Sequence, residues 1–455
     1  MFRVGDCCLV AFLCFALAAV AAADPLSICT FQSDATPPLG SPLCQGGVQP
    51  AQEIVDPLTV RGVVLLPGDD KPIVLCAVDW VGIGNGGYDL FRQTLADAAG
   101  TSVDRVALHT LHQHDAPGFD TDAEALLAAQ SKSGLLYHVA FAQRAIDRAA
   151  AALTKSLKHP QVVTHLGTGA AEVEKVASNR RILGDDGKVK YVRYSASRIE
   201  EAVAAPEGVI DPLVRVVSFW NDDQPLAVMS YYATHPQSYY GQGGVSWDFV
   251  GMARAQREEA VPGVPHIHFN GAGGNVAAGK YNDGSPERRP ELAGRLAAGM
   301  AKAWEATKRV PVDGSDVGWR TCDVRLPLRD ILKEDELVEM LQDSSVPVKQ
   351  RVRAARDLAF VRRARADRPI QLSCLTLPGT YIVHMPGELF VEYQLAAAKM
   401  QPDAMVCMAA YGDYGPGYIG TEIAYAQGGY ETSYVSRTAP EVEGVLMDAL
   451  RELLQ

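Results

Sequence analysis

The sequence runs to 455 residues, with 54 Asp and Glu against 42 Lys and Arg and a net charge of −12. That balance excludes a nucleic-acid partner held through its phosphates, which needs a positive footprint. Beyond the N-terminal run, charges interrupt every apolar window short of the roughly 20 residues a membrane helix needs, so no integral span is expected.

The chain opens with Arg3, an apolar stretch from Leu9 to Val20 and the small residues Ala21-Ala22-Ala23. These are the three parts of a cleavable secretory signal over residues 1–23, so a secreted or periplasmic protein is expected; a retained anchor is the alternative. Of nine cysteines, six lie beyond it: Cys29, Cys44, Cys76, Cys322, Cys374 and Cys407. No CxxC pair occurs, which removes a cysteine zinc ribbon from consideration. Cys29 and Cys44 flank a Pro- and Gly-rich stretch expected to lie outside the main fold, where an oxidising compartment admits a disulfide or two free thiols. The remaining four sit in apolar runs and read as buried thiols.

Alternating or apolar runs predict strands at 58–66, 73–78, 105–109, 162–167, 214–219, 227–233 and 267–270, with helices at 88–99 and 137–157 between them. A further strand is expected over 317–326. The charged segment 333–365 has the apolar spacing of two amphipathic helices and reads as an inserted, solvated hairpin without catalytic duty. Strands follow at 370–375 and 381–384, a helix at 388–400, a strand at 405–409, a Gly/Tyr-rich loop from Tyr411 to Tyr434, and a last helix at 441–454. Strands alternating with helices give an α/β class, mixed β-sheets layered with α-helices. No repeat or linker divides residues 24–455, so one large domain is expected.

The sharpest local feature is His112-Gln113-His114-Asp115-Ala116-Pro117, leaving the strand at 105–109. A His-x-His pair there can turn two neutral ring nitrogens toward a zinc ion, or be a polar loop with one satisfied core histidine. His266-Ile267-His268 is a second such pair. His235 ends an apolar strand in Ala233-Thr234-His235-Pro236, where a buried imidazole without a partner is costly. Glu388 opens the predicted helix after Met385-Pro386-Gly387, where a carboxylate is also an ordinary partner for the helix dipole. Tyr418, Tyr425 and Tyr430 crowd one loop, as surface packing or as a substrate platform.

In this order the set resembles the neutral ceramidases, zinc-dependent amidases that split ceramide into sphingosine and a fatty acid. The resemblance spans most of residues 24–455 and rests on His112-Gln113-His114-Asp115-Ala116-Pro117, Ala233-Thr234-His235-Pro236, Pro386-Gly387-Glu388 and Tyr418-Ile419-Gly420-Thr421, with Tyr430-Glu431-Thr432-Ser433 behind. It implies one zinc ion bound by His112, His235, Glu388 and Tyr418, with His114 as acid/base and Tyr430 beside the substrate. It also implies a substrate-side arginine at Arg180 of Ser178-Asn179-Arg180-Arg181, with Arg181 the adjacent contender. Three positions at the expected substrate contacts depart from the family pattern. Ala277 in Gly274-Asn275-Val276-Ala277 replaces the catalytic serine, Asn275 replaces an aspartate, and Asp115 replaces a serine. The immunoglobulin-like domain that ends many members has no room after Gln455.

With no hydroxyl at position 277, a zinc ion with an open position supplies the nucleophile as water. The expected activity is hydrolysis of a small-molecule or lipid-like amide or ester. The alternative is a catalytically inactive binding protein that keeps the fold and the metal site.

Overall fold

The computed structural model describes residues 25–455; the expected signal at 1–23 lies outside the described residues. Three sheets form the frame. The first runs, by strand, Val106–Thr110, Ile73–Val78, Thr59–Pro67, Leu26–Asp34, Gln161–Val163; the second His266–Asn270, Gln224–Tyr232, Leu213–Asn221, His165–Glu172, Lys308–Pro311. The third runs Gly318–Val324, Ile370–Leu377, Thr380–His384, Met405–Ala409.

The sequence Ile73–Val78 is apolar throughout because both its faces are covered. Leu75 and Ala77 point into a core shared with the second sheet, with Val216 and Tyr231. Val74, Cys76 and Val78 point the other way, against Phe91 and Leu95 of the helix Asn85–Ala99 and Ala145 and Ile146 of the helix Val139–Ser156. The helices Asp248–Ala260 and Arg288–Glu305 cover the second sheet, and Val391–Met400 and Val442–Leu453 the third. Among the described residues no helix is long and apolar enough to cross a membrane.

Each sheet contains one parallel pair: Ile73–Val78 with Val106–Thr110, Gln224–Tyr232 with His266–Asn270, and Thr380–His384 with Met405–Ala409. The C-terminal ends of the three pairs meet. Thr110 N donates to Tyr411 O (3.0 Å), Ala410 N to Asn270 O (3.0 Å) and Gly271 N to Tyr232 O (2.8 Å). Loops leaving the C-terminal ends of parallel strands are where α/β folds place ligands, and here three sets converge.

Four expectations change. The run 162–167 is not one strand: Gln161–Val163 pairs with Leu26–Ile28 in the first sheet, and His165–Glu172 pairs with Leu213–Trp220 in the second. Thr164 is the corner, its N–H donating to Trp220 O (2.8 Å). Cys29 lies within the fold, mid-strand in Leu26–Asp34 opposite Val64, and both Cys29 and Cys44 are free thiols. Glu388 does not begin a helix; Glu388–Leu389 is a short strand parallel to Tyr418–Ile419, and the helix starts at Val391. The hairpin, Glu334–Gln342 and Val348–Arg365, is no solvated bystander: Leu358 and Ala355 pack with Leu127 of the helix Thr121–Ala128.

One buried ion pair ties the first sheet to the second layer. Asp79, 1% exposed, accepts from Arg254 Nη1 (2.7 Å) and Nη2 (2.9 Å) and from Thr59 N (2.8 Å) and Oγ1 (2.7 Å). Burial pushes its carboxyl up, but Arg254 and the hydrogen bonds outweigh that and leave it below the usual range. Asp79→Ala strands a buried guanidinium and is expected to cost about 3–5 kcal/mol in urea unfolding. A depressed carboxyl contributes stability fully above its unfolded pKa of about 4 and loses it as pH falls through the folded value. The acid limb of a stability–pH curve should therefore flatten in Asp79→Ala; an unchanged limb counts against the pair.

Candidate metal centre

Each strand end brings one polar group to a common point. His112 stands two residues past Val106–Thr110 with its backbone in the left-handed region (φ 66°). Such a conformation is strained for a residue with a Cβ and persists where the surroundings fix it. Its N–H donates to Trp80 O (2.9 Å), its Nδ1 to Val81 O (2.5 Å), and its ring stacks on Tyr411 at 4.7 Å between centroids. His235 follows Gln224–Tyr232; its N–H donates to Val276 O (2.8 Å) and its Nδ1 to Gly273 O (3.3 Å). Both Nδ1 atoms are thus turned to backbone carbonyls, and the two Nε2 atoms face each other at 3.1 Å.

Glu388 completes the group. Its Oε2 lies 3.3 Å from His112 Nε2 and 3.7 Å from His235 Nε2, and it has no hydrogen-bond donor among the described residues. Burial raises its carboxyl, but His112 and the hydroxyls of Tyr414 and Tyr418 hold it down to about 2, so it is ionised. Tyr414 donates to the other oxygen, Oε1 (2.7 Å). Tyr418 is the direct register partner of Glu388 across the short parallel pair, its ring parallel to that of His235 at 6.2 Å between centroids. Gly387 (φ 61°) makes the entry turn, where a Cβ would lie 2.5 Å from Gly417 O.

The ring nitrogens of His112, His114 and His235 lie within 4.8 Å of one another, so His114 also belongs to the cluster. It differs in its partners: its Nδ1 takes Gln237 Nε2 (2.5 Å) and lies 3.4 Å from the Cys44 thiol, and the residue lines an open cavity. Burial and the adjacent His112 hold its imidazole down to about 3, so it is neutral at pH 7. The cavity is about 340 Å³ and is walled by His114, Glu388, Tyr418 and Tyr430 on one side and by the helix Val348–Arg365 on another.

Other sequence candidates lie in different positions. The Arg180 guanidinium, expected at the substrate, is occupied: Nη1 donates to Tyr418 Oη (3.0 Å) and Gly274 O (3.4 Å), and Nε lies 3.2 Å from Glu431 Oε1. Arg181 donates to Glu431 Oε2 (3.2 Å) and Ala424 O (3.0 Å). Asn275, also expected at the substrate, is 1% exposed and joins two segments, Nδ2 donating to Glu392 (2.8 Å) and Oδ1 accepting from Val391 N (2.9 Å). Asp115 accepts from Gly241 N (2.8 Å) and faces Arg289 at 3.7 Å, away from the cavity. Ala277 is fully buried, in a bridge beside His235. The loop 271–274 packs against the ligand backbones so closely that a Cβ on Gly274 would lie 2.2 Å from Glu388 O. The second His-x-His pair is structural: His268 bonds Ser230 Oγ (2.9 Å) and Asn270 Oδ1 (3.1 Å) within the core.

Sequence reasoning passed over Tyr414, Gln237, Cys44 and Glu431. Tyr414 sits in the Gly/Tyr loop whose density was noticed and Glu431 in the Tyr430-Glu431 run, though neither was given a role, whereas Gln237 and Cys44 carry no local signature of one. Glu431, with no exposed surface, faces two guanidinium groups.

No protein-family model matches the sequence, and a search of the curated proteins finds no match. Among solved structures, a ceramidase complexed with C2 superposes with a TM-score of 0.69, covering 94% of this chain and 75% of that one at 15% identity. A neutral ceramidase from Pseudomonas aeruginosa superposes with a TM-score of 0.68, covering 94% and 74% at 16% identity. The fold is that of neutral ceramidase. At such identity the likeness is one of architecture, and the neutral ceramidase fold accounts for the three-sheet frame on which the cluster stands.

Glu431→Ala should leave Arg180 and Arg181 buried without their shared carboxylate and destabilise the protein by about 3–5 kcal/mol in denaturant unfolding. A cost below about 1 kcal/mol, the range of an exposed pair, would remove Glu431 from the support of the Tyr418 loop.

Proposed function

We propose that this protein is a zinc-dependent hydrolase of amide or ester bonds, of the neutral ceramidase type, with His112, His235, Glu388 and Tyr418 as the ligands of one zinc ion. One observation carries the reading: His112 Nε2, His235 Nε2 and Glu388 Oε2 face one another at 3.1–3.7 Å inside the protein while both Nδ1 atoms are turned to backbone carbonyls. Unpaired buried acceptors are costly, and a cation reverses the sign of that cost. Nitrogen and oxygen donors of this kind suit zinc. The two Nδ1 bonds to backbone carbonyls and the Tyr414 hydroxyl on Glu388 are the outer contacts that orient such ligands.

His112, His235, Glu388 and Tyr418 would hold the ion, which when bound would lower the pKa of a water toward about 7 and so supply a nucleophile where Ala277 offers none. The protein's own groups do the rest. His114, neutral and facing the cavity, takes a proton from the attacking water at a ring nitrogen and returns it to the leaving group. Tyr430, in the cavity wall, donates its hydroxyl proton to the carbonyl oxygen as charge develops there, a contact worth on the order of 3 kcal/mol. Arg180 acts through Tyr418 as a positioning residue, fixing the phenol oxygen at the cluster. The substrate class is a small-molecule or lipid-like amide, and the signal-like residues 1–23 support export.

Metal analysis tests this directly. His112→Ala and His235→Ala should each lose a zinc ion that the wild type carries at one per chain, and full occupancy in either variant overturns the assignment. His114→Ala should keep the ion while amide turnover falls about 10²–10⁴-fold; loss of the ion would make His114 a ligand instead. Tyr414→Phe should lower zinc affinity about 10–100-fold in a chelator competition. A wild type that binds no zinc favours the non-catalytic reading.

A further inference from the structure

The helix Val348–Arg365 is rich in arginine, and its cations divide into two groups. Four of them have protein partners. Arg362 and Arg365 both meet Glu334 (2.9 and 2.6 Å), Arg363 meets Asp89 (2.9 Å), and Arg351 donates to Leu341 O (2.8 Å). Lys349, Arg353 and Arg356 are different. They recur at the four- and three-residue steps that share one helix face, that face lines the catalytic cavity, and none has a carboxylate within 4.0 Å among the described residues. Asp357, the neighbouring acid, is committed to Arg437 (2.8 Å).

The guanidinium groups are also held in place. Arg353 lies over the Tyr434 ring at 4.7 Å and Arg356 over the Tyr414 ring at 5.6 Å, contacts that orient a planar cation without neutralising it. The one carboxylate in the cavity wall is Glu388, already facing two histidines. In a chain of net charge −12, a cavity with three cations on one wall and no carboxylate beside them runs counter to the overall charge. Its volume of about 340 Å³ falls at the compact end of ligand pockets, about 300–1,000 Å³.

We infer that the substrate is an anionic amide: a compact acyl compound whose carboxylate or phosphate is held by Arg353 and Arg356, with Lys349 at the rim, while its carbonyl meets the metal cluster. This rests on the hydrolase reading and narrows it. The reaction adds water across the C–N bond: the water oxygen joins the carbonyl carbon, the C–N pair leaves with nitrogen, and nitrogen takes the proton. An anion on the amine part then departs as an amino acid or a phosphorylated amine.

The test uses zinc-loaded full-length protein and three probes of one acyl length: N-octanoylglycine, N-octanoyl-O-phosphoethanolamine and the neutral N-isobutyloctanamide. An anionic probe should be hydrolysed with a kcat/KM on the order of tenfold or more above the neutral one, the effect of one hydrogen bond to a charged group. Arg353→Gln and Arg356→Gln should each bring that ratio toward one, and the partly exposed Arg353 guards against a folding defect at Arg356. The preferred anion tells carboxylate from phosphate. Equal turnover of all three probes overturns the inference and leaves the hydrolase standing. If none is cleaved, calorimetry decides: anion binding weakened by either substitution keeps the inference and removes the hydrolase, and binding without anion preference overturns it.

Discussion

Three polar atoms brought together beneath the cavity form the constraint on which this molecule is organised. His112 Nε2 and His235 Nε2 come from segments just past parallel strands of the first and second sheets, and Glu388 Oε2 from the short strand that follows Thr380–His384 of the third. Bringing them within 3.1–3.7 Å of each other is unfavourable by itself. The cores above and below each sheet must therefore fix the strand ends firmly, and the backbone shows where that holding is applied. His112 and Tyr411 both have left-handed conformations, φ 66° and 59°, and their rings stack on each other. The hydrogen bonds between Thr110 and Tyr411 and between Ala410 and Asn270 join the sheets where the polar groups emerge.

Around that cluster runs a chain of polar contacts that ends in the tyrosine loop. Glu388 is bonded by Tyr414, Tyr418 by Arg180, and Arg180 and Arg181 share Glu431. Such a network rigidifies a site only when every member is satisfied. The Gly271–Gly274 turn closes it from the other side, with its carbonyls receiving His235 and Arg180. Asn275 fits the same pattern. Its amide is spent on Val391 and Glu392, securing the start of the helix behind Glu388. The segment that ends in Ala277 is thus scaffold for the ligands.

Much of the frame could be read from the chain because its strands are buried on one or both faces and its helices are amphipathic, so periodicity carried the information. Ile73–Val78 and the hairpin helices are examples. Leu26–Asp34 was passed over because Ser27, Thr30 and Gln32 dilute its apolar alternation, although it pairs on both sides. The run 162–167 was misjudged because a change of sheet at Thr164 leaves no trace in hydrophobicity. For the site, the short motifs around His112, His235, Glu388 and Tyr418 named residues that do lie together. The protein contacts of Arg180, Asn275 and Asp115 were not legible, because a motif gives a position along the chain but not the direction of a side chain. Glu431 and Gln237 were missed because their partners are remote in sequence, and burial alone makes them matter.

The hairpin Glu334–Gln342 and Val348–Arg365 is spliced between Gly318–Val324 and Ile370–Leu377, two strands that are already neighbours in the third sheet. Those strands pair without a break in register across the insertion, and among the described residues no hydrogen bond or ion pair joins the hairpin to His112, His235 or Glu388. One wall of the cavity is therefore modular. Its residues can drift by mutation while the opposite wall stays fixed by the geometry of the sheets, so one histidine–carboxylate cluster can face cavities of different shape and charge.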